Sequence, residues 1–477
     1  MSEDSTATTG ALPRANDASA HTEVYERADT VWTGSGSRAQ LASGPHQLSG
    51  PGGRVAIVAG CRTPFVKAGT AYRDMDVVDL AGVAAAELIE RTELDPAEID
   101  RSIFGVVVPA LHAPNLGREV VFRAALPFET PGSTVNLACA SSNRAIADGA
   151  ASILMGHSDV VLAGGAESLS NVPIQYSKRA ARRLMEFSRA KSLGKRMSVI
   201  SKVRPGDLVP VPPAIAEYTT GMSMGQACEK MARENDISRR AQDEIALMSH
   251  QRAAAAIEAG WFDDQIVPTF PPPGYSEAVT RDSGVREDAS LEALAGLRPV
   301  FDRRYGSLTA GNSSPLTDGA SAVLLMSENK ASALGYEPLG YIRSFAFAAL
   351  DPGSQLLQGP AYAAPMALDR AGLKLSDMDL VEMHEAFAAQ IVSNLKAFAS
   401  PRFARQELGR SEPLGEIDFD RFNVTGGSIS IGHPFGATGA RVTMQLLHEL
   451  RRRDLDLGLM TVCAAGGVGF AMVVERS

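Results

Sequence analysis

The chain has 477 residues, 45% of them hydrophobic and 21% charged, with a formal net charge of −9. That is the composition of a globular protein with room for two or more cores, and the acid excess argues against general nucleic-acid binding. The four cysteines, Cys61, Cys139, Cys228 and Cys463, form no C-x-x-C pair. Neither a metal knuckle nor a disulfide framework is expected, a reducing cytoplasm suits them, and no apolar run reaches the length of a membrane span.

Residues 1–52 are rich in Ser, Thr, Ala and Gly and lack apolar periodicity. The segment has no secretory apolar core, and its acids (Glu3, Asp4, Asp17, Glu23, Glu26, Asp29) do not suit a transit peptide, so it reads as a disordered tail. Globular structure is expected to begin at GRVAIVAGCRTPF, with a strand over 54–59. A helix over 77–93, a strand near 102–108 and the strand VVLAGGAES at 160–168 continue an α/β alternation.

Between them lies VNLACASSNRAIADGAA, 135–151. Val135 and Leu137 read as a buried strand, and Ile146, Ile153 and Leu154 keep helical spacing after it. Ser141, Ser142 and Asn143 are good N-cap residues. Cys139 would thus sit where a strand meets a helix N-terminus, whose dipole favours a thiolate. An inert core cysteine is the bland alternative.

After Asn171 the alternation breaks. Ten basic residues fall between Lys178 and Arg204 against one acid, Glu186. A solvated helix face would explain them; so would phosphate binding, an anionic membrane surface or an acidic partner. The segment VPVPPA at 209–214 reads as irregular chain, and one helical stretch is expected over 226–259. The insertion spans about 172–290.

SSPLTDGASAVLLMSE (313–328) and CAAGGVGFAMVVER (463–476) each run from a turn into a buried strand that ends at a polar residue. They suggest two similar halves, 53–327 and 336–477. In the second half, HEAFAAQ places His384 after the apolar DLVEM. His433 lies between Gly432 and Pro434 in NVTGGSISIGHPFGATGARV, where it cannot be mid-helix and where five glycines allow close backbone approach. Cys463 ends a strand before a glycine-rich turn. A lone histidine or cysteine is usually structural. Two of each at strand-to-loop junctions suggest a site, because ligands gather at such ends in α/β sheets. A nucleophilic cysteine needs a base, which a histidine supplies; a second thiol suits proton transfer at carbon; backbone N–H groups and histidines suit an oxyanion. Together these point to Claisen-type chemistry on a thioester.

These motifs resemble the thiolases over nearly all of 53–477. LACASS, AGGAES, TAGNSSPLTDGA, HEAFA, GGSISIGHPFGATGAR and CAAGGVG stand in family order. The H-E-A-F variant and the basic insertion resemble the subgroup that forms the β subunit of fatty-acid oxidation (trifunctional) complexes. The resemblance implies a layered αβαβα thiolase fold with two similar α/β halves and a loop/helical insertion in the first. It implies an acetyl-CoA C-acyltransferase that cleaves 3-ketoacyl-CoA with free CoA. Cys139 would carry the acyl group, His433 would be its base, and Cys463 the acid–base for the α-carbon. His384 stands where the family commonly has an Asn of the enolate oxyanion hole. Backbone N–H groups of Cys139 and Ala465 would form the second hole, and Ser314 and Met224 would line the pantetheine channel. Coenzyme A would be a co-substrate, with no permanently bound cofactor and no metal. The expected partners are a second copy of the chain, a hydratase/dehydrogenase α subunit and, through 178–204, a membrane surface. The weighed alternatives are an acetoacetyl-CoA-forming acetyltransferase, a β-ketoacyl synthase and a CoA-binding subunit without turnover.

Overall fold

The computed structural model describes residues 47–211 and 216–477. The expected tail, up to residue 46, and residues 212–215 of the proline-rich stretch lie outside the described residues. The chain is already against the body at Gln47, whose Nε2 donates to Glu475 Oε1 at 2.9 Å.

In the first half, β1 (Val55–Arg62), β3 (Arg101–Gly105), β4 (Gly132–Val135), β5 (Val160–Glu167) and β6 (Thr317–Ser327) alternate with α1 (Val77–Thr92), α2 (Leu116–Arg123) and α3 (Ser141–Leu154); β2 (Val66–Lys67) is a short strand beside β6. The excursion between β5 and β6 contains α4 (Lys178–Arg189), α5 (Leu193–Ile200), α6 (Met224–Glu234) and α7 (Arg239–Glu258). The second half contains β7 (Gly340–Ala349), α8 (Gly359–Ala371), β8 (Leu380–Met383), α9 (Ala388–Ala399), α10 (Thr438–Arg453), β9 (Leu457–Ala464) and β10 (Val468–Glu475).

The main strands run β4-β3-β5-β6-β1-β7-β10-β9-β8. The first half reads β3-β5-β6-β1, with β3 parallel to β5 and the later pairs antiparallel. The second reads β8-β9-β10-β7, with β8 parallel to β9 and the later pairs antiparallel. The two halves therefore share order and direction and meet where Val55–Ile57 pair with Gly340–Ile342. The two stretches that suggested a repeat are β6 and β10, which hold matching places.

Alternation along the strands distributes side chains between faces. Val55 and Ile57 of β1 join Val161, Met460 and Phe470 around α3 and α10. Ala56 and Val58 turn the other way, toward α1 and α2. Val381, Leu459 and Val473 face α6, α7, α8 and α9. The result is the five-layer αβαβα arrangement, with α3 and α10 in the middle. The two central helices touch so closely that a Cβ on Gly439 would lie 2.1 Å from Asn143 Oδ1.

Local signals explain most helix ends. Asp76 and Asp79 form a capping box for α1. The single helix expected over 226–259 is two helices. Asn235 ends α6, Asp236 takes φ 48°, and Ser238 caps α7 by accepting from Ala241 N at 3.0 Å.

Candidate active site

Cys139 is set by a tight turn. Ala138 takes φ 47°, and Ser141 Oγ braces it by accepting from Leu137 N at 2.9 Å and donating to Ala138 O at 2.6 Å. Ser142 Oγ accepts from Ala440 N across the central layer. The residues expected to cap α3 are thus spent elsewhere: the cap is Ala140, with no side-chain hydrogen bond. The thiolate expectation is also corrected. Burial pushes the Cys139 thiol up to about 12, although backbone N–H groups of Ala465 and of Cys139 itself pull the other way. Desolvation outweighs the helix terminus, so the resting group is a thiol.

His433 is held from both sides. Gly432 takes φ 116°, and a Cβ there would lie 2.8 Å from Thr317 Cγ2. His433 Nδ1 lies 2.7 Å from Thr438 Oγ1, and that hydroxyl donates to Pro434 O at 3.0 Å. With its only proton committed, Thr438 accepts from Nδ1–H, which leaves the Nε2 lone pair free. That atom lies 3.2 Å from Cys139 Sγ. Burial lowers the imidazole to about 3, with Arg441 adding to the shift, so the ring is neutral. A neutral thiol faces the lone pair of a neutral base.

His384 follows β8, and its backbone N–H donates to Thr461 O at 2.9 Å. Its ring centroid is 4.1 Å from that of His433. Burial first, then His433 and Arg441, hold it well below the ordinary imidazole range. Nδ1 meets Ser428 Oγ at 2.8 Å, while buried Nε2 has no partner among the described residues. Ligating atoms of Cys139, His384 and His433 lie within 4.8 Å of one another, a spacing a soft divalent ion could bridge.

Cys463 is fully buried near the end of β9, opposite Gly469. Burial raises its thiol well above the usual range, and the charges of Cys139 and Cys228 raise it further. Ala465 lies outside the left-handed region that Gly466 and Gly467 occupy, so its N–H is presented as an ordinary residue presents it. Two further sequence-derived positions are placed by other contacts. Ser314 is tied to the His384 loop by donation from N (3.0 Å) and Oγ (3.1 Å) to Ala386 O. Met224 starts α6 and packs on the apolar cluster of the second half.

Sequence reading missed Glu167. Its carboxylate accepts from Val107 N (3.1 Å), Val108 N (2.9 Å) and Gly436 N (3.0 Å), tying the end of β5 to the turn after His433. Burial raises it to about 7 despite those donors. Gly165 beside it allows this approach: a Cβ there would lie 2.0 Å from Gly436 O. The signal was present in AGGAES, an acid following two glycines at a strand end, but nothing local names its partner. Thr438, Ser428 and Arg441 lie inside GGSISIGHPFGATGAR, where nothing local singles them out.

Comparison with known proteins places this geometry in context. The family profile "Thiolase, N-terminal domain" matches residues 55–329 and "Thiolase, C-terminal domain" matches 336–476. A 3-ketoacyl-CoA thiolase of Serratia proteamaculans is 52% identical over 424 residues, 89% of this chain and 97% of that protein. The enzyme of the same name from Yersinia enterocolitica is 51% identical over the same shares. Among solved structures, the Bacillus anthracis acetyl-CoA acetyltransferase superposes with TM-score 0.77 at 33% identity, covering 89% of this chain and 99% of that one. Human mitochondrial 3-ketoacyl-CoA thiolase in complex with CoA gives 0.75 at 32%, covering 91% and 100%.

Proposed function

This chain belongs to the thiolase family, and from that premise we propose that it is a 3-ketoacyl-CoA thiolase, an acyltransferase that uses coenzyme A as co-substrate. The observation that carries the reading is the 3.2 Å contact between the Nε2 lone pair of His433 and the Cys139 thiol, with the tautomer set by Thr438. Such a pair generates its nucleophile on demand.

His433 takes the Cys139 proton as sulfur attacks the C3 carbonyl of a 3-ketoacyl-CoA. The C2–C3 bond breaks, leaving the acyl group on sulfur and acetyl-CoA as its enolate. His384 and the imidazolium of His433 hold the enolate oxygen, and the Cys463 thiol protonates C2. Incoming CoA passes its thiol proton to the Cys463 thiolate and attacks the acyl group. Cys139 leaves and recovers its proton from His433. Backbone N–H groups of Cys139 and Ala465 bind the oxyanion of the acyl-transfer steps. Ser314 and Met224 line the pantetheine channel. The second thiol favours this over decarboxylative condensation, which has no α-proton to manage. Run backward on acetyl-CoA, the same steps make acetoacetyl-CoA.

The free cysteines suit a cytoplasmic protein. Among the described residues no helix is long and apolar enough to cross a membrane. A second copy of the chain and a hydratase/dehydrogenase subunit are the proposed partners. The α4–α5 hairpin, basic and with Leu184, Met185, Leu193 and Met197 exposed, suits an anionic membrane surface.

The test is thiolysis by Cys139→Ala, followed through loss of the Mg²⁺–enolate absorbance of a 3-ketoacyl-CoA, with mass spectrometry of the wild type after acyl-CoA. Turnover should fall by about 10³-fold or more, as on removal of a catalytic nucleophile, and Cys139 should carry the acyl mass. Retained turnover, or an unmodified Cys139, would refute the assignment.

A further inference from the structure

An asparagine amide presents its donors on one nitrogen. An imidazole presents its proton on either of two, so a histidine that serves as a donor needs a partner to choose its tautomer. Beside His384 that partner is visible. Ser428 Oγ is fully buried and touches two polar side-chain atoms among the described residues: Arg441 Nη2 at 2.6 Å and His384 Nδ1 at 2.8 Å.

We infer that Ser428, oriented by Arg441, fixes His384 as the Nε2–H tautomer, so that these two are the positioning residues of the enolate-oxygen donor. A guanidinium only donates, so Arg441 occupies a lone pair of the hydroxyl. Among the described residues the hydroxyl's single proton then has one acceptor in reach, His384 Nδ1. The reverse arrangement, Nδ1–H donating to Ser428, would leave the hydroxyl proton buried without an acceptor. The imidazole proton is therefore on Nε2, the buried atom with no partner among the described residues. It is a donor awaiting an acceptor, on a ring 4.1 Å from that of His433.

The supports do not give way. Ile429 N donates to Glu385 Oε2 at 3.1 Å, and Gly427 N to Ser249 Oγ at 3.1 Å. A Cβ on Gly427 would fall 2.2 Å from Glu385 Cδ, so the backbone bearing Ser428 is pressed onto a buried carboxylate. Arg441 Nη1 is held by Gln445 Oε1 at 3.1 Å. The same tautomer removes His384 Nε2 as a ready ligand for a metal beside Cys139 and His433, because a metal needs the lone pair that the proton occupies.

This inference rests on the thiolase reading, and the experiment separates the two. [¹⁵N]His-labelled protein, with His384→Asn to assign the signal, reports the tautomer directly and requires no turnover. Protonated Nε2 is expected in the wild type; a protonated Nδ1 overturns the inference whatever the enzyme catalyses. Ser428→Ala should lower thiolysis kcat about 10- to 100-fold, the scale for losing support of a donor. Its KM and its rate of Cys139 acylation by acyl-CoA should stay within about threefold. Ser428→Thr, which keeps the hydroxyl, should restore the tautomer and most of kcat. Unchanged kcat in Ser428→Ala, or equal losses in kcat and acylation, reduces Ser428 to a packing residue. If neither variant folds, the wild-type nitrogen signal decides alone. A wild type that neither thiolyses nor forms acyl-Cys139 removes the functional reading and leaves the tautomer result standing.

Discussion

The two halves repeat one topology and put different chemistry at equivalent places. α3 precedes β5 in the first half as α10 precedes β9 in the second, and both helices occupy the middle layer. Cys139 stands before the first turn of α3, and His433 stands before α10. One repeated element thus brings the proposed nucleophile and its proposed base to within 3.2 Å across 294 positions of sequence. The strand ends diverge. β5 closes on Glu167, which clamps three backbone N–H groups, whereas β9 closes on Cys463, the proposed acid–base thiol. The shared topology supplies the meeting point; the loop residues, unequal between halves, set a carboxylate at one strand end and a thiol at the other.

The sharpest test of that asymmetry exchanges reaction for inertness at the second strand end. Cys463→Ala should still accept an acyl group on Cys139, because the His433–Cys139 pair is untouched. Carbon–carbon chemistry should fall about 10²- to 10⁴-fold, the usual scale for a general acid–base. Paired mass spectrometry and thiolysis assays read both steps. Equal loss of acylation would place Cys463 in the structure and not in the proton transfer.

Glu167 is the matching test in the first half. Glutamine presents an NH₂ where the carboxylate accepts, so Glu167→Gln sets a donor against a backbone donor. The turn carrying Gly436 should loosen, and both acylation and thiolysis should drop, by about 10-fold each. This is the opposite pattern to Cys463→Ala, which divides the steps. If Glu167→Gln spares acylation, the clamp does not position His433.

The electrostatics of the pair give a smaller effect with a definite sign. Protonation removes the Nε2 lone pair, so activity is lost as pH falls through the folded pKa of His433. Burial puts that value at about 3, against about 6.5 for an unperturbed imidazole. kcat/KM should therefore stay flat from pH 7.5 down through 6.5, in the range where the protein stays folded. An acid limb centred near 6.5 and lost with His433 would show that the base is solvated.

Much of this was legible in the sequence, for a physical reason. Gly432 and Pro434 exclude a helix around His433, and the strand at 160–168 appears as β5 because β-branched and small residues are local signals. The match between 313–328 and 463–476 located β6 and β10. What escaped was tertiary. The resting thiol of Cys139 is set by desolvation, which no neighbour in sequence discloses. The three donors of Glu167 include one 269 positions away. Ser141 looks like a cap and instead braces the turn at Ala138. The gap between α6 and α7 was hidden because helical spacing continues on both sides of Asn235.

The last difference between the halves is the excursion itself, which the second half lacks. Among the described residues of α4, only Ala180 is buried, while Arg179, Arg182 and Arg189 are exposed beside Met185. Side chains so placed contribute little to the fold, since exposed charges stabilise by less than about 1 kcal/mol. Reversing Arg179, Arg182 and Arg189 to Glu should therefore leave the melting temperature essentially unchanged and kcat on a short 3-ketoacyl-CoA within twofold of the parent. Each basic residue near an anionic surface is worth about 1 kcal/mol, so three reversals should abolish co-sedimentation with phosphatidylserine vesicles while neutral vesicles bind neither protein. Unchanged sedimentation with a raised KM for CoA would move these charges from a membrane to the phosphates of the co-substrate. Unchanged values of both would make α4 a solvated face, and the excursion would then differ from the rest of its half in length alone.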